Sequence, residues 1–205
     1  MYCNKDIIIE GNPLLYQKCQ DVKFPLSMDD EKCIRSLTEY MMASEVEELT
    51  EKYKIRPGVG IAAPQVGVIK RMFAINCTDF LDENKTKYFY AFINPKIIGK
   101  SEEMTYLPGG EGCLSVTRET EGLVTPRHYA IRIKAATYDY NTGRIKNVTM
   151  TLEGYPAIVF QHEYDHLDGI LYTSKMFKPE ELDKKIFPLY TIDDKEADED
   201  NKEEK

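Results

Sequence analysis

The sequence reads as an α+β protein: mostly antiparallel β-sheets packed around a central α-helix able to bind a metal. Three observations lead there. Ile131, Ile133 and Ala135 alternate with Arg132 and Lys134, and Val148, Met150 and Leu152 alternate with Thr149 and Thr151, with Asn141-Thr142-Gly143 between them. That period of two marks a hairpin with one buried face. Strand-like stretches gather ahead of one apolar helix instead of alternating with helices, which argues against a parallel sheet built from strand-helix-strand units. The helix itself, with Pro156 in its first turn and Gly169 at its stop, carries His162 and His166 four residues apart around Glu163.

Taken in order, residues 1 to 26 read as an extended arm with turns at Gly11-Asn12-Pro13 and near Pro25. Ser27 followed by Asp30 starts a helix, and Ile34, Leu37, Met41 and Ser44 recur at helical spacing, so an amphipathic helix is expected from about residue 28 to 50. The charge-rich stretch Glu45 to Lys54 should end it in a solvated loop. Arg56 to Gly67 is rich in Gly, Ala and Pro, which suits a shaped loop or edge strand. Strands follow at Arg71 to Asn76, Tyr88 to Ile93 and Lys96 to Lys100, with Asn94-Pro95 as punctuation. After the His162 helix, Ile170 to Tyr172 reads as a short strand and Pro179 to Ile186 as a last helix.

With 205 residues, the chain is long enough to bury a core as a single domain, placed at 1 to 190. Residues 191 to 205 form an acidic tail expected to be disordered: from Asp193 onward eight acids face three lysines, a net of −5 out of −8 for the whole chain. The negative balance argues against direct nucleic-acid binding. No apolar run reaches membrane-span length, and Met1 to Asn12 lacks the parts of a signal peptide. The five cysteines are an odd number without a Cys-x-x-Cys pair, which argues against a disulfide framework and for a reducing, cytoplasmic setting.

The chemistry starts from the helix. Residues four apart leave one face a turn apart, so His162 and His166 can grip one cation. Glu163, at the edge of that face, can reach a water without being a ligand, as a general base must. Two of only three histidines fall at this spacing. A catalytic site needs a third protein ligand, and His128, a carboxylate or Cys113 could supply it. A longer protease pattern would put a third histidine at 172, where the chain has Tyr172; Glu180 or Glu181 would be the substitutes. A structural metal site or protein-binding domain is the non-enzymatic alternative.

Three segments together, Gly58-Val59-Gly60-Ile61-Ala62-Ala63-Pro64-Gln65, Glu111-Gly112-Cys113-Leu114-Ser115 and Gln161-His162-Glu163-Tyr164-Asp165-His166-Leu167, resemble the ordered signature motifs of peptide deformylase. The similarity spans roughly residues 1 to 175, and the loops before the first two motifs resemble the class typical of Gram-positive bacteria. The resemblance implies that Cys113, His162 and His166 hold the metal and that Glu163 is the catalytic acid/base. It also implies that the Gln65 amide and the Leu114 N–H face the developing oxyanion. The metal it implies is ferrous iron, with zinc, nickel and cobalt as substitutes.

The implied reaction is hydrolysis of the N-formyl group from the initiator methionine of a new polypeptide, releasing formate. Ile158 and Val159 precede His162 by four and three residues, so they should wall an apolar slot for the methionine side chain. Backbone at Val59, Gly60 and Gly110 should pair with the peptide as an added strand, binding main chain without reading side chains. The partners expected are N-formylmethionyl peptides of nascent chains, with room for transient ribosome contact and with no membrane.

Overall fold

The computed structural model describes residues 1–190. The tail expected at 191–205 lies outside the described residues. Helix α1 (Met28–Ala43) is started by Ser27, whose side chain accepts from the Asp30 N–H, with Asp29, Asp30 and Glu31 complementing the helix dipole. It stops well short of residue 50. The Ser44 hydroxyl donates to both the Met41 and Gly58 carbonyls at 3.1 Å, tying the helix end to the next loop. The chain turns there, and α2 (Glu47–Tyr53) occupies the stretch expected to be a solvated loop.

Five strands form one antiparallel sheet in the order β1 (Gly60–Ala62), β2 (Met72–Thr78), β3 (Lys87–Lys100), β6 (Ala130–Tyr138), β7 (Ile145–Glu153). A second, small sheet has the order β5 (Arg127–His128), β4 (Met104–Tyr106), β8 (Phe187–Pro188). Asn94-Pro95, expected to separate two strands, instead makes a bulge within the single strand β3. Asn94 adopts φ +49°, and its side-chain amide bonds the Val22 N–H and carbonyl at 2.8 Å each, which lets the extra residue be absorbed.

The sheet lies between two helices. On one face Phe73, Ile75, Phe92, Ile131, Ile133 and Leu152 meet α3 (Gly154–Leu167), with Phe160 in edge contact with Phe73 and Phe92 at 5.0 and 5.2 Å. On the other, Met72, Ala74, Ile93, Ala136 and Tyr138 pack against Ile34, Leu37 and Met41 of α1. Burying this much apolar area, at about 25 cal/mol per Å², makes α3 the fixed part of the molecule on which a site can be built.

The C-terminal end of α3 is pinned as well. Arg71 pairs with Asp168 at 2.7 Å and donates to the Leu167 carbonyl, and Gly169 turns at φ +72° with its Cα hydrogens against the Tyr16 carbonyl, where a Cβ would sit 2.5 Å away. Beyond it, Tyr172–Ser174 is a 3-10 turn and not a strand, because the Leu171 carbonyl accepts both the N–H and the hydroxyl of Ser174. The last expected helix is cut to a single turn at Pro179–Glu181. The Asp183 carboxylate takes the Lys185 N–H, a local bond that competes with helix, and the chain extends into β8.

Candidate metal centre and active-site cleft

Helix α3 projects His162 and His166 from one face, their ring centroids 5.1 Å apart. The loop after β4 brings Cys113 to them: its Sγ lies 3.3 Å from His166 Nε2, and one ligand atom from each of the three residues falls within 4.8 Å of the others. In a tetrahedral site, with sulfur at about 2.3 Å and nitrogen at about 2.0 Å from the ion, these edges would be about 3.3–3.6 Å. The donors are therefore nearly in place. His128 is elsewhere, its Nδ1 on the Ser101 carbonyl, and Glu180 and Glu181 lie in the exposed turn after α3. Tyr172 sets its ring 5.5 Å from that of His162 and its phenol on Thr120.

The electrostatics agree with a cation at this point. His162 turns Nδ1 to Glu111 Oε2 at 2.7 Å, which leaves Nε2 for the centre. Burial would depress its pKa, but Cys113 and Glu111 together push it well above the usual value. His166 goes the other way: burial, with the His162 and Arg127 charges, holds it well below the usual value, which keeps it neutral as a ligating imidazole must be. Burial also drives Glu111 up, yet the Arg127 charge and its two bonds, with His162, hold that carboxyl at about 2. Arg127 forks onto Glu111 at 2.7 and 2.8 Å and reaches Asp165 with its other nitrogen; both Arg127 and Glu111 are 4% exposed at the side chain. None of Glu111, Arg127 or Asp165 was assigned a role from sequence. Glu111 and Asp165 lie inside the Cys113 and His162 motifs, whereas Arg127 lies on a distant strand with no spacing that ties it to the helix.

Glu163 faces a cleft of about 310 Å³ lined also by Val59, Gly60, Gln65, Cys113 and Leu114. Burial pushes its carboxyl up to about 7, with His162 opposing, and its Oε2 has no protein partner. Gly60 makes this packing feasible: a Cβ there would stand 2.3 Å from Glu163 Oε1. The Gln65 amide is oriented by the Ala62 N–H, which donates to Oε1 at 2.8 Å. Its Nε2 then points to Ser115 Oγ at 3.1 Å and Cys113 Sγ at 3.3 Å. Glu163, Gln65, Leu114, Cys113 and His162 thus line one cleft, and His166 lies buried behind it within reach of Cys113.

The remaining expected residues divide. Val59 and Gly60 line the cleft, and β1 is an edge strand of its sheet. Gly110 falls outside the lining, in a turn at φ +75° with its N–H on the Leu107 carbonyl. Ile158 and Val159 are 1% and 5% exposed and do not line the cleft; Val159 packs in the core with Phe73 and Phe160.

A model of the polypeptide deformylase family matches residues 4–182. The chain belongs to the polypeptide deformylase family. Its reaction is therefore metal-dependent hydrolysis of the N-formyl group from the initiator methionine of a new polypeptide. Among relatives, the peptide deformylase of Halalkalibacterium halodurans is 47% identical over 176 residues, covering 86% of this chain and 92% of that one. That of Staphylococcus epidermidis is 46% identical over 172 residues, covering 84% and 90%. Both suit the Gram-positive class of deformylases. A class I type b peptide deformylase from Acinetobacter baumannii, solved with Met-Ala-Ser bound, superposes with a TM-score of 0.60 at 28% identity, covering 82% of this chain and 96% of that one. The mixed α+β deformylase fold with antiparallel sheets is thus common to both.

Proposed function

We propose that residues 1–190 form one catalytic domain in which α3 is the metal-binding helix. Cys113 Sγ, His162 Nε2 and His166 Nε2 hold a ferrous ion, which zinc, nickel or cobalt can replace. A cation held there supplies Lewis-acid chemistry, lowering the pKa of water and polarising a carbonyl. Glu163 accepts a proton from water at its carboxylate and returns it to the leaving nitrogen, roles that suit a carboxyl whose proton affinity is raised by burial. Gln65 Nε2 and the Leu114 N–H receive the negative charge that develops on the formyl oxygen. The observation that carries this reading is the meeting of Cys113 Sγ with the two α3 imidazoles, with Cys113, His162 and Glu163 on the wall of an open cleft.

The substrate is a formylmethionyl peptide whose main chain adds to the free edge of β1 at Val59 and Gly60. No helix of the described residues is long and apolar enough to cross a membrane. The five cysteines are unpaired, which supports a reducing, cytoplasmic setting, and transient contact with the ribosome is part of the same proposal. The test is metal content with formate release from a formylated peptide. Protein purified without oxygen should carry stoichiometric iron and release formate, and Cys113→Ser should lose both. Retention of metal and activity by that variant, or cleavage inside the peptide in place of formate release, would overturn the assignment.

A further inference from the structure

Arg56 stands on the wall of the cleft and has no part in the chemistry described above. Its backbone is fixed from several sides. The N–H donates to Asn4 Oδ1 at 2.9 Å, the carbonyl accepts from the Tyr40 hydroxyl at 3.0 Å, and two residues on the Gly58 carbonyl accepts from Ser44. Tyr40 is wholly buried, so this anchor belongs to the core. One guanidinium nitrogen donates to the Leu114 carbonyl across the cleft.

The rest of that guanidinium is unclaimed. It carries five N–H donors in a planar fork that matches a carboxylate. Among the described residues no acid pairs with Arg56; Arg35, Arg132 and Arg144 lack one too, but of these Arg56 alone lines the cleft. A cation without counter-charge, on a rigid backbone and half-buried beside the reacting centre, is a built receptor for an anion. The peptide chain running past Val59 and Gly60 is what brings groups within its reach.

We propose that Arg56 is a specificity-determining residue that binds a carboxylate side chain close behind the formylmethionine, so that acidic peptides are favoured over basic ones. This rests on the deformylase reading of the cleft. It refines the expectation that side chains go unread: main-chain pairing sets general acceptance, and Arg56 grades it. The net charge of −8 opposes acidic peptides at long range, but that field is screened beyond about 8 Å at physiological salt, whereas a direct contact is not.

The test compares formyl-Met-Asp-Ser, formyl-Met-Ala-Asp and their lysine counterparts, all with amidated C-termini so that the side chain is the only carboxylate. The readout is the ratio of kcat/KM for acidic over basic peptide, which is insensitive to any uniform loss from disturbing Leu114. Charge-assisted hydrogen bonds predict a wild-type ratio of about tenfold at one of the two positions, shrinking at 1 M salt. Arg56→Gln should bring that ratio to about one, Arg56→Lys should keep part of it, and Arg56→Glu should invert it. Equal rates for acidic and basic peptides in the wild type, or a ratio that survives Arg56→Gln, would overturn the proposal while formate release continued. Absence of formate from every peptide would instead strike the deformylase reading on which it rests.

Discussion

At the scale of single residues the site depends on contacts too close for substitution. Gly60 is the sharpest case. Because a Cβ there would meet the far end of the Glu163 side chain and not backbone, Gly60→Ala should fold, with Glu163 displaced from its working position. We expect kcat to fall by about 100-fold, the range for a general base, with circular dichroism and melting temperature near wild type. Glu163 can be examined through stability too. In metal-free protein its folded pKa, raised to about 7, exceeds an unfolded value of about 4.5. Its contribution is then fully present below pH 4.5 and lost as pH rises through 7, amounting to about 3 kcal/mol. Glu163→Gln should remove that slope from the denaturation curves of the metal-free protein; an unchanged slope would show the carboxyl to be unperturbed. Such residues were partly legible. The His162, Glu163 and His166 spacing is local and could be read directly, while Cys113 entered through its motif, since nothing in sequence distance places its sulfur at 3.3 Å from His166 Nε2.

At the scale of elements, α3 is held to the small sheet by Arg127, which joins β5 to Asp165 on the helix and to Glu111 behind His162. An arginine is required, because only its fork can satisfy Glu111 with two bonds and still reach Asp165. Arg127→Met should leave Glu111 buried with His162 as its one remaining partner, while Asp165 keeps Lys175, and should cost about 3 kcal/mol, measured by chemical denaturation. Arg127→Lys should fall between, retaining charge without the fork. Metal affinity should drop with both, by about 10- to 100-fold, because Glu111 sets the orientation of the His162 ring. If metal affinity stays at the wild-type value in both, the buried chain from Asp165 to His162 does not orient the ligand. Elements themselves were legible where a periodic pattern decides them, as in the hairpin of β6 and β7. They were misread where a side chain bonds locally. Ser44 ends α1, Asn94 turns a break into a bulge, and Asp183 stops the last helix, each through hydrogen bonds to partners that periodicity does not register.

For the whole molecule, the two faces of the large sheet are unequally covered. Helix α1 shields Met72, Ile93, Ala136 and Tyr138, but farther along the same face of β6, Arg132 and Lys134 stand in solvent. The bulge at Asn94 shifts the register of β3 so that Lys96 lies directly opposite Lys134, with β-carbons at the about 5 Å spacing of cross-strand pairs. No acid pairs with Lys96, Arg132 or Lys134 among the described residues. Two like charges in that position destabilise the sheet, and the other side of the pair offers the remedy: Thr149 of β7 is the neighbour of Lys134 across the next ladder. Lys134→Thr should remove the repulsion, introduce a β-branched residue suited to a strand, and set two threonines side by side. The expected gain is about 0.5–1 kcal/mol in chemical denaturation at low salt, and it should shrink as added salt screens the original repulsion. Since α3 and the cleft lie on the covered side of the sheet, formate release should not change. A variant no more stable than wild type at low salt would mean that the two lysines splay apart and the register imposed by the bulge carries no electrostatic cost.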